Sequence, residues 1–211
     1  MSAEPPKLKV TIDETDEPDG YSPPQIAAIA QQLIANMEKV ILGKHTQVVL
    51  SVAALLAEGH LLIEDVPGVA KTMLARALAH SAGCTFKRIQ CTPDLRPEDV
   101  IGETRLDPES GKPEFYFGPL FSQFVLVDEI NRANPRTQSA LLEAMGESSV
   151  TVGRVIYYLQ KPFIVIATQN PIEQEGTFAL PEAQKDRFLI QLRLGYPARS
   201  DEEQMLVQFE R

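Results

Sequence analysis

The stretch LLIEDVPGVAKT, residues 61–72, constrains the rest of the chain most. Leu61-Leu62-Ile63 is an apolar run of the length a buried strand needs. Pro67 and Gly68 break it into a loop, and Lys71-Thr72 open the amphipathic segment MLARALAH. A helix begins with unpaired N–H groups and partial positive charge, so a loop folded over that end can cradle phosphate oxygens. In such an arrangement Lys71 would reach the β- and γ-phosphates of a nucleotide and the Thr72 hydroxyl would be offered to Mg²⁺. Val66, Pro67, Gly68, Val69, Ala70 and Met73 make up the rest of the cradle.

The usual phosphate-loop pattern is G-x-x-x-x-G-K-[ST], and this chain departs from it twice, with Asp65 at the first glycine and Ala70 at the second. Should position 70 require a positive φ, the methyl group there costs roughly 1–2 kcal/mol. Taken alone, the stretch also reads as a Pro-Gly turn joining a strand to a helix. The polar residues at the ends of later strands decide between the two.

At 211 residues, with 44% apolar and 23% charged side chains, the chain can build one substantial core. Its net charge of −9 is partly concentrated near the N-terminus, where Glu4, Asp13, Glu14, Asp16, Glu17 and Asp19 outnumber Lys7 and Lys9. Nucleic acid is therefore disfavoured as a partner. No run is apolar for long enough to span a membrane and MSAEPPKLKV lacks a signal-peptide core, so a cytoplasmic location is expected. Cys84 and Cys91 have no CxxC spacing and no clustered histidine, which points to core packing rather than zinc.

Residues 1–23 are acidic and proline-containing without a period that buries a face, and read as a disordered tail. Ile26, Ile29, Leu33 and Met37 then mark a helix ending near Gly43, and a second helix is expected over 44–58. Further strands are expected at 87–91, 124–127, 163–167 and 188–192, the last of them an outer strand. Hairpins are expected over 104–117 and 150–157. Asn134 and Pro135 open a helix that runs to Gly146, and 181–186 is a short one. Strands alternating with helices predict an α/β fold, an αβα sandwich with a mostly parallel central sheet and inserted β-hairpins.

Two of those strands end in polar residues that suit a phosphate site. Asp128-Glu129 follows the apolar run 124–127, and Asn170 ends the run 163–167 with its polar extension. Carboxylates at the tip of a buried strand are costly unless something uses them. Asp128 would bind Mg²⁺ directly or through water, Glu129 would orient and deprotonate an attacking water, and Asn170 would hydrogen-bond that water or the γ-phosphate. Parallel strands share one C-terminal crevice, so residues distant in sequence can converge there. Singly, the Asp-Glu pair reads as a helix cap or solvated turn and Asn170 as a turn residue.

The blocks EDVPGVAKT, GETRLDPESGKPEFYFGPLF, LVDEINRANPRTQSALLEAM and VIATQNPIEQEGTFALPEAQKDRFL resemble those of the MoxR-type AAA+ ATPases, over nearly everything from about residue 25 onward. Asp65 agrees with that family and Ala70, where the family has glycine, does not. The resemblance implies a nucleotide-binding AAA+ core over 24–197, with a helix-2 insert and a pre-sensor hairpin, acting as a homo-oligomeric ring, usually a hexamer. ATP and Mg²⁺ are the implied cofactors. Lys71, Thr72, Asp128 and Glu129 match the Walker residues, Asn170 matches sensor 1, and Arg187 sits where the family's arginine finger is expected.

Family members continue into a helical lid, of which 198–211 resembles the start. The sequence is thus expected to be a fragment or a naturally short form. The implied activity is ATP hydrolysis that drives chaperone-like remodelling or cofactor insertion in a client protein. The other reading is a nucleotide-responsive scaffold with little turnover, motivated by Ala70 and the missing lid.

Overall fold

The computed structural model describes residues 20–108, 111–171, 177–197 and 201. The expected tail therefore lies outside the described residues apart from 20–23, and so does the expected lid start apart from Asp201.

Helix α1 (Pro23–Met37) starts two residues ahead of Gln25. The Gln25 side chain accepts the Ser22 main-chain N–H at 2.8 Å, and Pro23 and Pro24 occupy helical positions where no N–H is needed. The helix also stops earlier than expected. Its apolar period is complete at Met37, and the chain turns through residues 38–43 to Gly43, at φ +69°. Next in the chain are α2 (His45–Leu56), β1 (His60–Glu64), α3 (Lys71–Ser81), β2 (Phe86–Gln90) and the single-turn α4 (Pro97–Ile101). A hairpin, β3 (Gly102–Leu106) with β4 (Pro113–Phe117), precedes β5 (Phe124–Asp128) and α5 (Pro135–Glu147). A second hairpin, β6 (Ser149–Val152) with β7 (Val155–Tyr158), leads to β8 (Ile164–Gln169), the short α6 (Glu182–Lys185) and β9 (Phe188–Leu192).

The central sheet runs β2-β5-β8-β1-β9 and all its pairings are parallel. Successive side chains of a strand point to opposite faces, and here both faces are dry. Leu61, Ile63, Phe124, Leu126, Ile164 and Ile166 pack on one side with α1, α2 and α3. Leu62, Val125, Val127, Val165 and Ala167 pack on the other with Leu141, Leu142 and Met145 of α5. The result is the α/β sandwich that the pattern of elements predicts, with β9 at an edge as expected.

Helix α5 is fixed at its start as the sequence suggests, the Asn134 side chain accepting the Thr137 N–H at 3.0 Å. The hairpins stand out from the sheet, with Leu106, Phe117 and Tyr158 largely exposed. They also touch each other. Phe115 of β4 stacks on Tyr157 of β7 with centroids 4.7 Å apart, and Phe117 and Phe121 meet the pair edge-on.

Candidate active site

In this sheet order β5, β8 and β1 are consecutive and parallel, so their C-terminal ends lie along one edge. The register places Glu64 beside Gln169 and Val127 beside Ala167, which brings the ends of β1, β5 and β8 to one level. A cleft of about 510 Å³ opens there, above the N-terminus of α3. Lys71, Thr72, Asp128, Glu129 and Asn170 all line it. So do Pro67, Gly68, Ala70 and Met73. Of the other expected cradle residues, Val69 is buried in the core and Val66 packs against it, and neither lines the cleft.

Ala70 lies immediately before α3 at φ 62°, ψ 24°, the left-handed conformation that glycine takes without cost. Asp65, at the other departure from the pattern, has a structural use. Its carboxylate accepts the N–H groups of Leu194 at 2.7 Å and Gly195 at 2.6 Å, just beyond β9, and that of Val66 at 2.8 Å. Partial burial opposes its charge, but the N–H groups of Gly195, Val66 and Leu194, with Lys71 nearby, hold the carboxyl below its ordinary range. The Lys71 ammonium donates to the Asp65 carbonyl at 2.7 Å, so the phosphate-loop lysine is already folded over its loop.

The two carboxylates are each held by named donors. Asp128 takes the Thr168 hydroxyl on Oδ1 at 2.5 Å and Arg88 on Oδ2, from Nε at 3.1 Å and Nη2 at 2.6 Å. Glu129 accepts from Arg132 at 3.0 Å and Gln90 at 3.1 Å, while its own N–H donates to Thr168 Oγ1 at 2.9 Å. Arg88 Nη2 further donates to Gln90 Oε1 at 2.7 Å, which closes a ring of hydrogen bonds through β2, β5 and β8. Glu129 itself sits at φ 56°, a conformation that turns the chain sharply away from β5.

Arg88, Gln90, Arg132 and Thr168 are not among the residues that the sequence singles out. The signal for Arg88 and Gln90 is that they lie two apart in FKRIQ and so share one side of the strand with Phe86, where two polar residues can face a site as well as solvent. Behind the phosphate loop lies an apolar cavity of about 130 Å³, walled by Ile41, Leu42, Val69, Leu74 and Leu194, with Lys44 at its margin.

Arg187 does not join the cleft. It is exposed, with its guanidinium against Gly146 in the last turn of α5, and it makes no ion pair among the described residues. Glu182, the nearby acidic residue on α6, pairs with Lys185 at 3.0 Å.

A divalent cation fits the donor set. The Thr72 hydroxyl and the Asp128 carboxylate are hard oxygen donors facing one cleft, and the described residues hold no cluster of acidic, His or Cys side chains that could cage a metal alone. That combination suits Mg²⁺, which takes few protein ligands and completes its shell with phosphate and water.

Residues 60–190 match the family model described as "ATPase family associated with various cellular activities (AAA)". The chain is 46% identical over 178 residues to Chaperone MoxR1 of Mycobacterium tuberculosis, covering 83% of this chain and 47% of that protein. The chain belongs to the MoxR-type AAA+ ATPases. It is also 56% identical over 169 residues to the uncharacterized protein YeaC of Bacillus subtilis, covering 80% of this chain and 53% of YeaC. A crystal structure of a candidate ATPase from Cytophaga hutchinsonii superposes with a TM-score of 0.79 at 41% identity, over 88% of this chain and 56% of that one. The chain spans about half the length of the curated relatives it matches. Among the described residues, no helix is long and apolar enough to cross a membrane.

Proposed function

We propose that the chain carries the nucleotide site of a cytoplasmic ATP-hydrolysing ring, a homo-oligomer of six subunits, that remodels a client protein. The observation that carries this reading is the convergence of Lys71, Thr72, Asp128, Glu129 and Asn170 on one cleft from three adjacent strand ends. Lys71 exchanges its Asp65 carbonyl for the β- and γ-phosphates, together with the N–H groups of the loop. The cavity behind the loop has the apolar walls that suit the faces of a base. Thr72 and Asp128 hold Mg²⁺, which when bound spreads the charge that develops on the transferring phosphoryl group.

Glu129 orients the attacking water and accepts its proton, and Asn170 hydrogen-bonds that water or the γ-phosphate. Arg187 acts on the nucleotide of a neighbouring subunit, a role supported by its exposure and its freedom from ion pairs among the described residues. The name of the mycobacterial relative supports a chaperone-like role. Nucleic acid is the less favoured client because the chain carries a net charge of −9.

A second reading is a nucleotide-binding scaffold that scarcely turns over, favoured by the left-handed Ala70 and by the hold of Arg132 and Gln90 on Glu129. Steady-state phosphate release by the purified chain separates the two. Turnover that Glu129→Gln abolishes supports the motor, and binding of ATP without turnover supports the scaffold.

A further inference from the structure

Arg88 lines the cleft, yet the phosphate chemistry does not explain its position. It lies on β2, at the edge of the sheet, two residues before Gln90, which is level with Asp128. From there its side chain runs along the sheet to the tip of β5 and sets two N–H groups on a single oxygen of Asp128. The other oxygen is taken by Thr168. Both oxygens of the proposed metal carboxylate are thus engaged by donors of the chain itself.

The two partners differ in their access to water. The Asp128 side chain is 12% exposed, so its charge needs a cation close by, whereas the Arg88 side chain is 48% exposed and is hydrated readily when it leaves. A divalent ion that ligates Asp128 meets a carboxylate whose Oδ2 already has a positive partner. Ion and guanidinium therefore compete for the same atom, and anything that binds one arrangement only shifts the balance by mass action.

We propose that Arg88 is a built-in counter-ion for Asp128, displaced from Oδ2 by the divalent cation, and that it thereby sets how strongly nucleotide binding depends on the metal. This rests on the reading of Asp128 as the carboxylate that holds Mg²⁺. Arg88 is a positioning residue here, since it acts on the metal site through Asp128. Because Arg88 also supports Gln90, which reaches Glu129, turnover would mix two effects. The metal dependence of binding isolates one of them.

The experiment measures the affinity of a fluorescent ATP analogue for the full chain in Mg²⁺ and in chelator, and takes the ratio. Loss of the Arg88 charge from the cleft weakens triphosphate binding in both conditions, and the ratio cancels that effect. In Arg88→Met the ratio should rise on the order of tenfold, as expected for freeing a carboxylate from charge-assisted hydrogen bonds. In Arg88→Lys, whose single ammonium replaces the fork, it should rise less.

Mn²⁺ titrated into the nucleotide-free protein and followed by electron paramagnetic resonance should bind the Met variant more tightly than wild type. A folded Arg88→Met protein with an unchanged ratio overturns the proposal, and a lowered ratio does so by showing that Arg88 assists metal-dependent binding instead of competing with the metal. If circular dichroism shows Arg88→Met unfolded, Arg88→Lys decides, and no rise in its ratio is equally fatal. A wild-type ratio near one that Asp128→Asn leaves unaltered removes the metal reading of Asp128 and this proposal with it. A strong wild-type ratio lost in Asp128→Asn, with no response to Arg88 substitution, removes the proposal alone.

Discussion

The carboxylate of Asp65 accepts the Gly195 N–H at 2.6 Å, so the phosphate loop is tied to the segment that leaves the last strand of the sheet. A glycine at position 65 would match the general phosphate-loop pattern and lose this tie. Asp65→Gly is therefore expected to destabilise the chain by roughly 2–3 kcal/mol, the scale of hydrogen bonds to a charged acceptor, in urea unfolding. The native carboxyl titrates below its ordinary value of 3.8, so the stabilisation is present above that pH and is lost as pH falls through the lowered native value. The stability gap between wild type and Asp65→Asn should narrow over the same acid range.

Ala70 presents the opposite case, a departure with a cost. Its φ of 62° places a methyl group where glycine is relaxed. Ala70→Gly should stabilise the fold by about 0.5–1 kcal/mol, the relief of strain being partly offset by the entropy glycine adds to the unfolded chain. Nucleotide affinity or rate should rise with it. Unfolding and binding curves that both superpose on wild type would mean that the loop tolerates the methyl.

The Phe115–Tyr157 stack ties a hairpin that precedes β5 to one that precedes β8. Truncating each ring to leucine, singly and together, should reveal a coupling of about 0.5–1.5 kcal/mol in a double-mutant cycle. Additive losses would mean that the hairpins touch without supporting one another.

Much of this arrangement is legible in the residues. Leu61-Leu62-Ile63 and the run 124–127 announce strands covered on both faces, and Asp128-Glu129 and Asn170 stand out because polar groups at such ends need a use. Arg88 and Gln90 escape because β2 is an edge strand, and FKRIQ mixes polar and apolar residues on both of its sides, so its polar residues read equally as solvent-facing. Only the pairing of β2 with β5 sets Gln90 beside Asp128 and turns those side chains toward the cleft. The apolar cavity escapes for a similar reason. Ile41 and Leu194 lie near opposite ends of the folded core's sequence, and they meet only where the turn after α1 packs against the segment after β9.

His60, at the start of β1, is a buried group outside the proposed chemistry, and it gives the fold a pH dependence. Its Nδ1 accepts the Val165 N–H at 3.0 Å, so the ring proton sits on Nε2, 3.1 Å from the Met145 carbonyl it donates to. Burial lowers its pKa from 6.5 and outweighs the opposing carbonyl. The neutral ring thus stabilises the fold fully above the unfolded value, and that stability is lost as pH falls through the lowered native one. Unfolding free energy should therefore decline as pH falls below the ordinary value of 6.5 and level off once the native ring is protonated as well. In His60→Gln, which does not titrate, this part of the slope should vanish. Parallel slopes would place the acid sensitivity elsewhere.

Arg187 and Lys71 lie on different parts of the surface, and that separation makes their proposed roles separable. If Arg187 serves a neighbour's nucleotide, Arg187→Ala should bind ATP about as wild type does while turnover falls by on the order of a thousandfold or more, the range known for arginine fingers. Lys71→Ala should fail to bind. Each variant is then inactive for a different reason, and in a mixed ring an interface can hold the intact Lys71 of one subunit opposite the intact Arg187 of the next. Mixing the two inactive proteins should restore phosphate release at such interfaces. If Arg187 instead supported its own subunit's site, no pairing of the two variants would contain a complete site and the mixture would stay inactive.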